Sequence, residues 1–325
     1  LMSSAAAGND ILFDEKLCEN GRNFCNKLWN ALRLIKGWQT ADQAESEAAA
    51  RKNALAVRWM REKFQAVLAD MDANFKAFRL SEALLSLYSF IWDDFCSWYL
   101  EMIKPGFEKP IDRATREATL DLFSELMVAL HPFMPFITEE IWHQLRERAP
   151  GDDCMMQRYP QAGTADAGLI ARVEAAKDII AKVRDLRNQN QLKPREELDL
   201  LAQKSASAEA LFAEPGLKEM VQKLAVLSSL EWSAGELPAN AKSFISGADK
   251  YYVLLTQQID VAAERAKLEQ ELEYQRGFLR AIEAKLSNER FVQGAPAAVV
   301  DNERRKQADA QTRIKSLEES LAALS

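Results

Sequence analysis

The stretch from Leu286 to Lys306, LSNERFVQGAPAAVVDNERRK, sets Phe291 and Val292 among arginines and lysines at a Gly- and Pro-containing turn. Between 276 and 306, Arg276, Arg280, Lys285, Arg290, Arg304, Arg305 and Lys306 stand against four acidic side chains. Guanidinium and ammonium groups pair with phosphate oxygens, and an exposed ring offers a face to a base. The combination therefore suits contact with a folded nucleic acid. The flanks carry the opposite balance: five acids and two bases in 259–275, three acids and two bases in 307–325. A charge-laced helical hairpin with an accidental asymmetry has the same composition, and charge alone does not separate the two readings.

A second basic stretch, 172–195, has seven bases against three acids. Its VRDLRNQNQLKPR portion holds Arg184, Arg187, Lys193 and Arg195 beside Asn and Gln donors. It suits a phosphate backbone, and equally the solvated face of a helix. Catalysis finds little support. GxGxxG, GxxxxGK[ST] and HExxH are all absent from the sequence. Cys18, Cys25, Cys96 and Cys154 form no CxxC pair, and His131 and His143 are the only histidines, so no zinc site is expected. His131, which begins HPFMPF, reads as a polar residue ending a helix. Asp93 and Asp94 are adjacent, hence about 100° apart on a helix, and do not easily share a ligand. No catalytic, cofactor or metal residue is expected. The thiols read as buried or incidental in a reducing cytosol. No apolar run approaches membrane-spanning length, and the start lacks a signal pattern.

These residues need elements to position them. The 325 residues carry a net charge of −7, which argues against a uniformly basic binder but leaves local patches open. Only 12 Gly and 10 Pro favour long helices. Apolar spacing predicts helices over Asp14–Trp38 and Asp42–Phe75, from an N-cap at Ser81 to Lys104, from Asp112 to the HPFMPFI corner, and over Thr138–Glu147. Residues 1–150 thus read as an antiparallel helix bundle. Residues 151–257 read as a linker and a small α+β module: a helix over Leu169–Asn190, strands at 198–202, 230–232, 243–245 and 251–255, and Pro215 in the first turn of an intervening helix. In 258–325 two heptad seams, Val261 to Leu286 and Val300 to Leu324, flank the Gly-Pro loop. They predict an antiparallel coiled-coil hairpin with arms roughly 40 Å long that project from the body. The fold class is mainly α.

Five pieces of the chain carry a family resemblance: NDILFDE at 9–15, GRNFCNKLWNALRL at 21–34, FIWDDFCSWYLEMIKP at 90–105, LHPFMPFITEEIW at 130–142 and LSNERFVQGAPAAVV at 286–300. Together they resemble the C-terminal part of bacterial valyl-tRNA synthetases, class I aminoacyl-tRNA synthetases. The bundle pieces are shared more loosely with isoleucyl, leucyl and methionyl enzymes; RNFCNKLWN combined with the hairpin motif is specific. The resemblance implies that the bundle is an anticodon-binding domain and that the hairpin reaches the elbow of tRNA. It implies that the catalytic domain with its HIGH and KMSKS signatures, and the editing domain, lie upstream. This chain is then expected to bind tRNA(Val) without activating valine or editing threonine itself. ATP and Mg belong to the whole enzyme, which is expected to be a cytoplasmic monomer away from membranes.

By the same resemblance Lys16, Arg33 and Leu34 are placed at the anticodon, Leu34 standing where an aromatic is common. The basic tip, with Phe291, is placed at the elbow. Asn23, Phe24, Asn26 and Trp29 are expected to fix the first helix in the bundle. Two alternatives remain at this point. One is the matching part of an isoleucyl enzyme, whose terminal cysteine zinc site this chain lacks. The other is a coiled-coil scaffold that binds a partner helix.

Overall fold

A computed structural model describes residues 15–233, 241–255, 261–287, 300–308, 310, 311, 314 and 318, with the side chains of 261–268 left aside. The chain divides into two compact units, Leu1–Leu254 and Leu255–Ser325. No described helix is long and apolar enough to cross a membrane.

The first unit begins with α1, Glu15–Lys36, whose stripe Phe24, Leu28, Ala31, Leu32 and Ile35 is buried at spacings of three and four. A two-residue strand, β1 (Thr40–Ala41), pairs in parallel with β2 (Ile111–Asp112). Helix α2, Glu47–Lys76, starts five residues later than the sequence predicts. Ser46 is its N-cap, accepting the Ala49 N–H at 3.1 Å, while Asp42 instead accepts from Arg113. Ala56, Trp59, Met60, Phe64 and Met71 are its fully buried side chains.

Helix α3, Leu80–Ser89, corrects the expected cap: Arg79 holds the N-cap position, and Ser81 lies buried inside the first turn. The chain then continues as a π-helical segment, Phe90–Tyr99, and closes with α4, Leu100–Ile103. In the wider coil the Ser97 hydroxyl donates to the Trp92 carbonyl five residues back, at 2.8 Å. The rings of this segment find partners on several helices: Phe90 stacks on Phe64 and Trp92 on Phe24, and Phe95 meets Phe123 at a tilt of 44°.

Asp112 caps α5, Arg113–Leu130, by accepting the Thr115 N–H at 2.8 Å and the Asn53 amide at 2.9 Å. These bonds outweigh its burial and hold its carboxyl below the usual range. Pro135 occupies the first turn of α6, Pro135–Leu145, where its missing N–H costs nothing.

Helix α7, Ala167–Gln189, leads to β3 (Leu198–Ala202), α8 (Ala206–Phe212), α9 (Leu217–Ala225), β4 (Leu227–Trp232), β5 (Ala241–Ser246) and β6 (Asp249–Leu254). The sheet order is β4-β3-β6-β5, parallel between β3 and β4 and antiparallel elsewhere. The parallel pair needs a crossover, which α8 and α9 supply. The strands match the predicted positions but extend further at β4, β5 and the start of β6. Pro215 is corrected too: it lies in the turn between two helices, next to Gly216 at φ +89°.

This module packs directly on α2 through α7 and α9. At the junction a Cβ on Gly216 would sit 2.3 Å from the Arg51 carbonyl oxygen, so α9 can start there only from a glycine.

In the second unit, α10 spans Val261–Leu286, and the chain is helical again from 300 to 308. Arg276 pairs with Glu318 at 2.7 Å and Lys285 with Glu303 at 3.8 Å. Numbers rise on one segment as they fall on the other, so the two run antiparallel. Leu272, Gln275 and Ile282 are buried on α10, as are Val300, Glu303 and Ala310 on the returning segment.

Candidate nucleic-acid interface

The exposed side of α1 is the first surface. Burying Phe24, Leu28, Leu32 and Ile35 turns Arg22, Asn26, Asn30 and Arg33 outward, and all four are exposed. Their spacing of four, four and three residues aligns them in one row about 16 Å long. Guanidinium groups end the row, and carboxamides, which both donate and accept, lie between. The sequence singles out Arg33 on this row but not Arg22 or Asn30. The buried stripe was the available signal, since it fixes which side faces out.

Asn23 and Asn26 are corrected: they are exposed rather than fixing the helix, whereas Phe24 is buried against Tyr88 with ring centres 4.6 Å apart. Trp29 and Leu34 are half-buried. Lys16 is exposed in the first turn of α1, about 25 Å along the axis from Arg33, so the two cannot touch one base.

The basic stretch on α7 is a correction of a different kind. Arg187 is buried and donates to the carbonyls of Ala225, Val226 and Lys193. Arg184 donates twice to the Leu224 carbonyl, at 3.0 and 3.2 Å, and lies over the Trp98 ring. The two guanidiniums thus cap the carbonyl end of α9, which has no further turn to receive those oxygens. Burial lowers both pKa values, yet arginine stays charged.

Other cations of the stretch are also engaged. Arg172 pairs with Glu214, which also holds Arg58; Lys182 pairs with Asp178. Lys177 and Lys63 close on Asp94 and Glu174 at 2.7–3.2 Å, tying α2, the π-helical segment and α7 together. Burial opposes the charge on Lys63, but Glu174 and Asp94 prevail and raise its pKa. Asp94 is buried while Asp93 is exposed, so the two carboxylates do diverge. Of the four backbone candidates, Arg184, Lys193 and Arg195 are exposed and Arg187 is buried, and the Arg184 guanidinium is already engaged by the Leu224 carbonyl.

The second unit carries the other surface. Arg276, Arg280, Lys285, Arg304 and Arg305 are exposed, and Lys306 is half-buried. Glu303 draws Lys306 to 2.8 Å and Lys285 to 3.8 Å, and this pairing lowers its pKa, Lys306 having the largest effect. Arg280 reaches Glu273 at 3.2 Å, and Arg304 reaches Asp301 at 3.8 Å. Such exposed pairs are weak and exchange readily for phosphate contacts. Arg290 and Phe291 lie outside the described residues.

Comparison with known proteins gives these surfaces a context. Residues 57–202 match the family model described as the anticodon-binding domain of tRNA ligase. Residues 260–325 match the valyl tRNA synthetase tRNA binding arm. The chain is 45% identical over its whole length to the valine–tRNA ligase of Parabacteroides distasonis and 45% to that of Bacteroides thetaiotaomicron. Against the valine–tRNA ligase of Dechloromonas aromatica the identity is 33% over 99% of the chain. The chain spans 36% of the length of the first two relatives and 35% of the third.

Proposed function

Since this chain belongs to the valyl-tRNA synthetase family, matching about a third of its relatives' length, we propose that it is the part that recognises tRNA(Val). In this reading the row on α1 meets the anticodon stem-loop, with Arg33 as its principal contact. The antiparallel segments of the second unit meet the elbow through Arg276, Arg280, Lys285, Arg304, Arg305 and Lys306, and Arg290 and Phe291 join them in this reading. Valine activation with ATP and Mg, transfer to tRNA and editing of threonine are activities of the whole enzyme in this proposal. The chain itself contributes binding and register.

The observation that carries the reading is the arm match over 260–325 together with the solvent-facing arginines on that arm. Phosphate contacts position a nucleic acid and release counterions, so affinity must fall with salt. The test is fluorescence anisotropy with a tRNA(Val) transcript over a salt series. Wild-type affinity is expected to fall linearly on a log–log plot. Arg304→Glu combined with Arg305→Glu should weaken binding at least about tenfold and flatten the slope by roughly one unit per lost phosphate contact. Salt-independent binding, or a double variant that binds like wild type, contradicts the proposal.

A further inference from the structure

Both histidines of the chain converge on Glu139. His143, one turn further along α6, sets its Nε2 3.3 Å from Glu139 Oε1 and 3.2 Å from Asp153 Oδ1. His131 approaches from the other side, its Nδ1 held at 2.8 Å by the Thr138 hydroxyl and 4.0 Å from Glu139 Oε2. The ligand-capable atoms of Glu139, His143 and Asp153 all lie within 4.8 Å of one another. One imidazole nitrogen carries at most one proton, and two carboxylate oxygens compete for it. Among the described residues, neither carboxylate has a lysine or arginine partner, so two negative charges converge on a single ring.

We propose that Glu139, His143 and Asp153 bind a divalent transition-metal ion, with zinc the best fit. Zn–N and Zn–O bonds of about 2.0–2.1 Å put neighbouring ligands of a tetrahedron about 3.3–3.4 Å apart. An octahedral ion with bonds of about 2.1 Å would bring neighbours to roughly 3.0 Å. The separations of 3.2 and 3.3 Å from the His143 nitrogen stand nearer the tetrahedral value, and the ligand atoms of Glu139 and Asp153 lie within 4.8 Å of each other. One nitrogen and two carboxylate oxygens also form a donor set that zinc accepts.

The ligands are oriented by neighbours of their own, as metal ligands need to be. The Cys154 N–H donates to Glu139 Oε1 at 2.6 Å and the Met155 N–H to Oε2 at 3.2 Å. Trp142 donates to the Asp152 carbonyl at 2.8 Å, fixing the backbone just before Asp153. The side chains of His143 and Asp153 are each 41% exposed, which leaves the fourth position to water. A bound ion clamps α6 to the short 3-10 turn Cys154–Met156 and stiffens this corner of the first unit. The clamp is independent of RNA binding.

The test is titration of the whole chain with zinc chloride by calorimetry, with cobalt chloride as a spectroscopic probe. One zinc ion per chain is expected, with a rise in melting temperature and a visible d–d band for cobalt. His143→Gln and Asp153→Asn should each weaken zinc binding at least about tenfold and remove the cobalt band. Both side chains are partly exposed, and circular dichroism checks that each variant is folded. If His143→Gln misfolds, Asp153→Asn gives the same readout. Absence of saturable zinc binding overturns the proposal, as does one equivalent bound with unchanged affinity by the folded variants.

Discussion

Arg187 and Arg33 carry the same guanidinium and face opposite demands. Arg187 is 7% exposed and satisfies carbonyls at the end of α9 and in the following loop. Replacing it with Met takes the guanidinium donor from the Ala225 oxygen, while the Val226 and Lys193 oxygens keep the N–H groups of Leu198 and Glu196, at a cost of about 1–3 kcal/mol. Arg187→Met should therefore lower the urea midpoint while leaving tRNA affinity intact below the unfolding transition. Arg33→Glu should do the reverse, with stability within about 0.5 kcal/mol of wild type and weaker binding. Melting curves and anisotropy on both variants check the pair, and a binding loss in Arg187→Met would restore it as a contact. Lys52 is a different kind of buried cation. Burial and the adjacent Lys223 push its amine down to about 6. An unfolded lysine titrates near 10.4, so between roughly 6 and 10.4 the unfolded chain holds a proton that the folded chain lacks. This group's penalty is complete near 6, shrinks as pH rises and vanishes above about 10.4, giving a slope of up to about 1.4 kcal/mol per pH unit. Lys223 still donates to the Met102 carbonyl if Lys52 is removed. The rise in melting temperature from pH 7 to pH 9 should thus be smaller in Lys52→Met than in wild type; parallel slopes would contradict the assignment.

At the scale of elements, the contact of α9 with α2 needs one backbone position to be glycine. Gly216 has φ +89°, and a Cβ there would meet the Arg51 carbonyl oxygen at 2.3 Å and its carbon at 2.7 Å. Both are backbone atoms and cannot rotate away. The left-handed conformation alone costs a side-chain-bearing residue about 1–2 kcal/mol. Gly216→Ala should therefore destabilise the first unit by about 2–4 kcal/mol, measured by urea unfolding. A change below about 1 kcal/mol would show that α9 can withdraw from α2. What was legible in the sequence follows from the same physics. Helices α1, α2, α5 and α7 announce themselves because a buried stripe repeats every three or four residues, and β3 because Leu198, Leu200 and Ala202 alternate inward. The π-helical stretch did not; its rings Phe90, Trp92 and Phe95 meet partners on helices distant in sequence, which no local pattern reveals. Charge on α7 was legible and its purpose was not: Glu214, Asp94 and the end of α9 are far away in sequence. The Glu139–His143–Asp153 cluster escaped for the same reason, since Asp153 lies ten positions after His143, beyond the end of α6 at Leu145, on a loop whose backbone Trp142 holds through the Asp152 carbonyl.

For the whole molecule, the proposed function divides the work between the two units. A chain of net charge −7 repels a polyanion at long range, so binding depends on where its cations are exposed. On the first unit many are consumed internally, as Lys63, Lys177, Arg184 and Arg187 show. Exposed cations remain on α1, at Lys193 and Arg195 after α7, and on the second unit. In the proposed function both surfaces hold one tRNA, and each raises the effective concentration of the other, so affinity exceeds what either supplies alone. Ending the chain after residue 256 removes one surface and leaves the core of the first unit untouched, because Trp59, Phe64, Phe95 and Phe123 all lie within it. The shortened chain should keep its cooperative melt and lose helical signal in proportion to the missing helices. Its affinity for tRNA(Val) should drop by at least about a hundredfold, within the range that linked sites lose when one is removed, and its salt dependence should become shallower. If the shortened chain binds as tightly as the full one, the α1 surface alone accounts for recognition and the arm does not grip the elbow. If it no longer melts cooperatively, the two units fold as one and the division of labour fails with it.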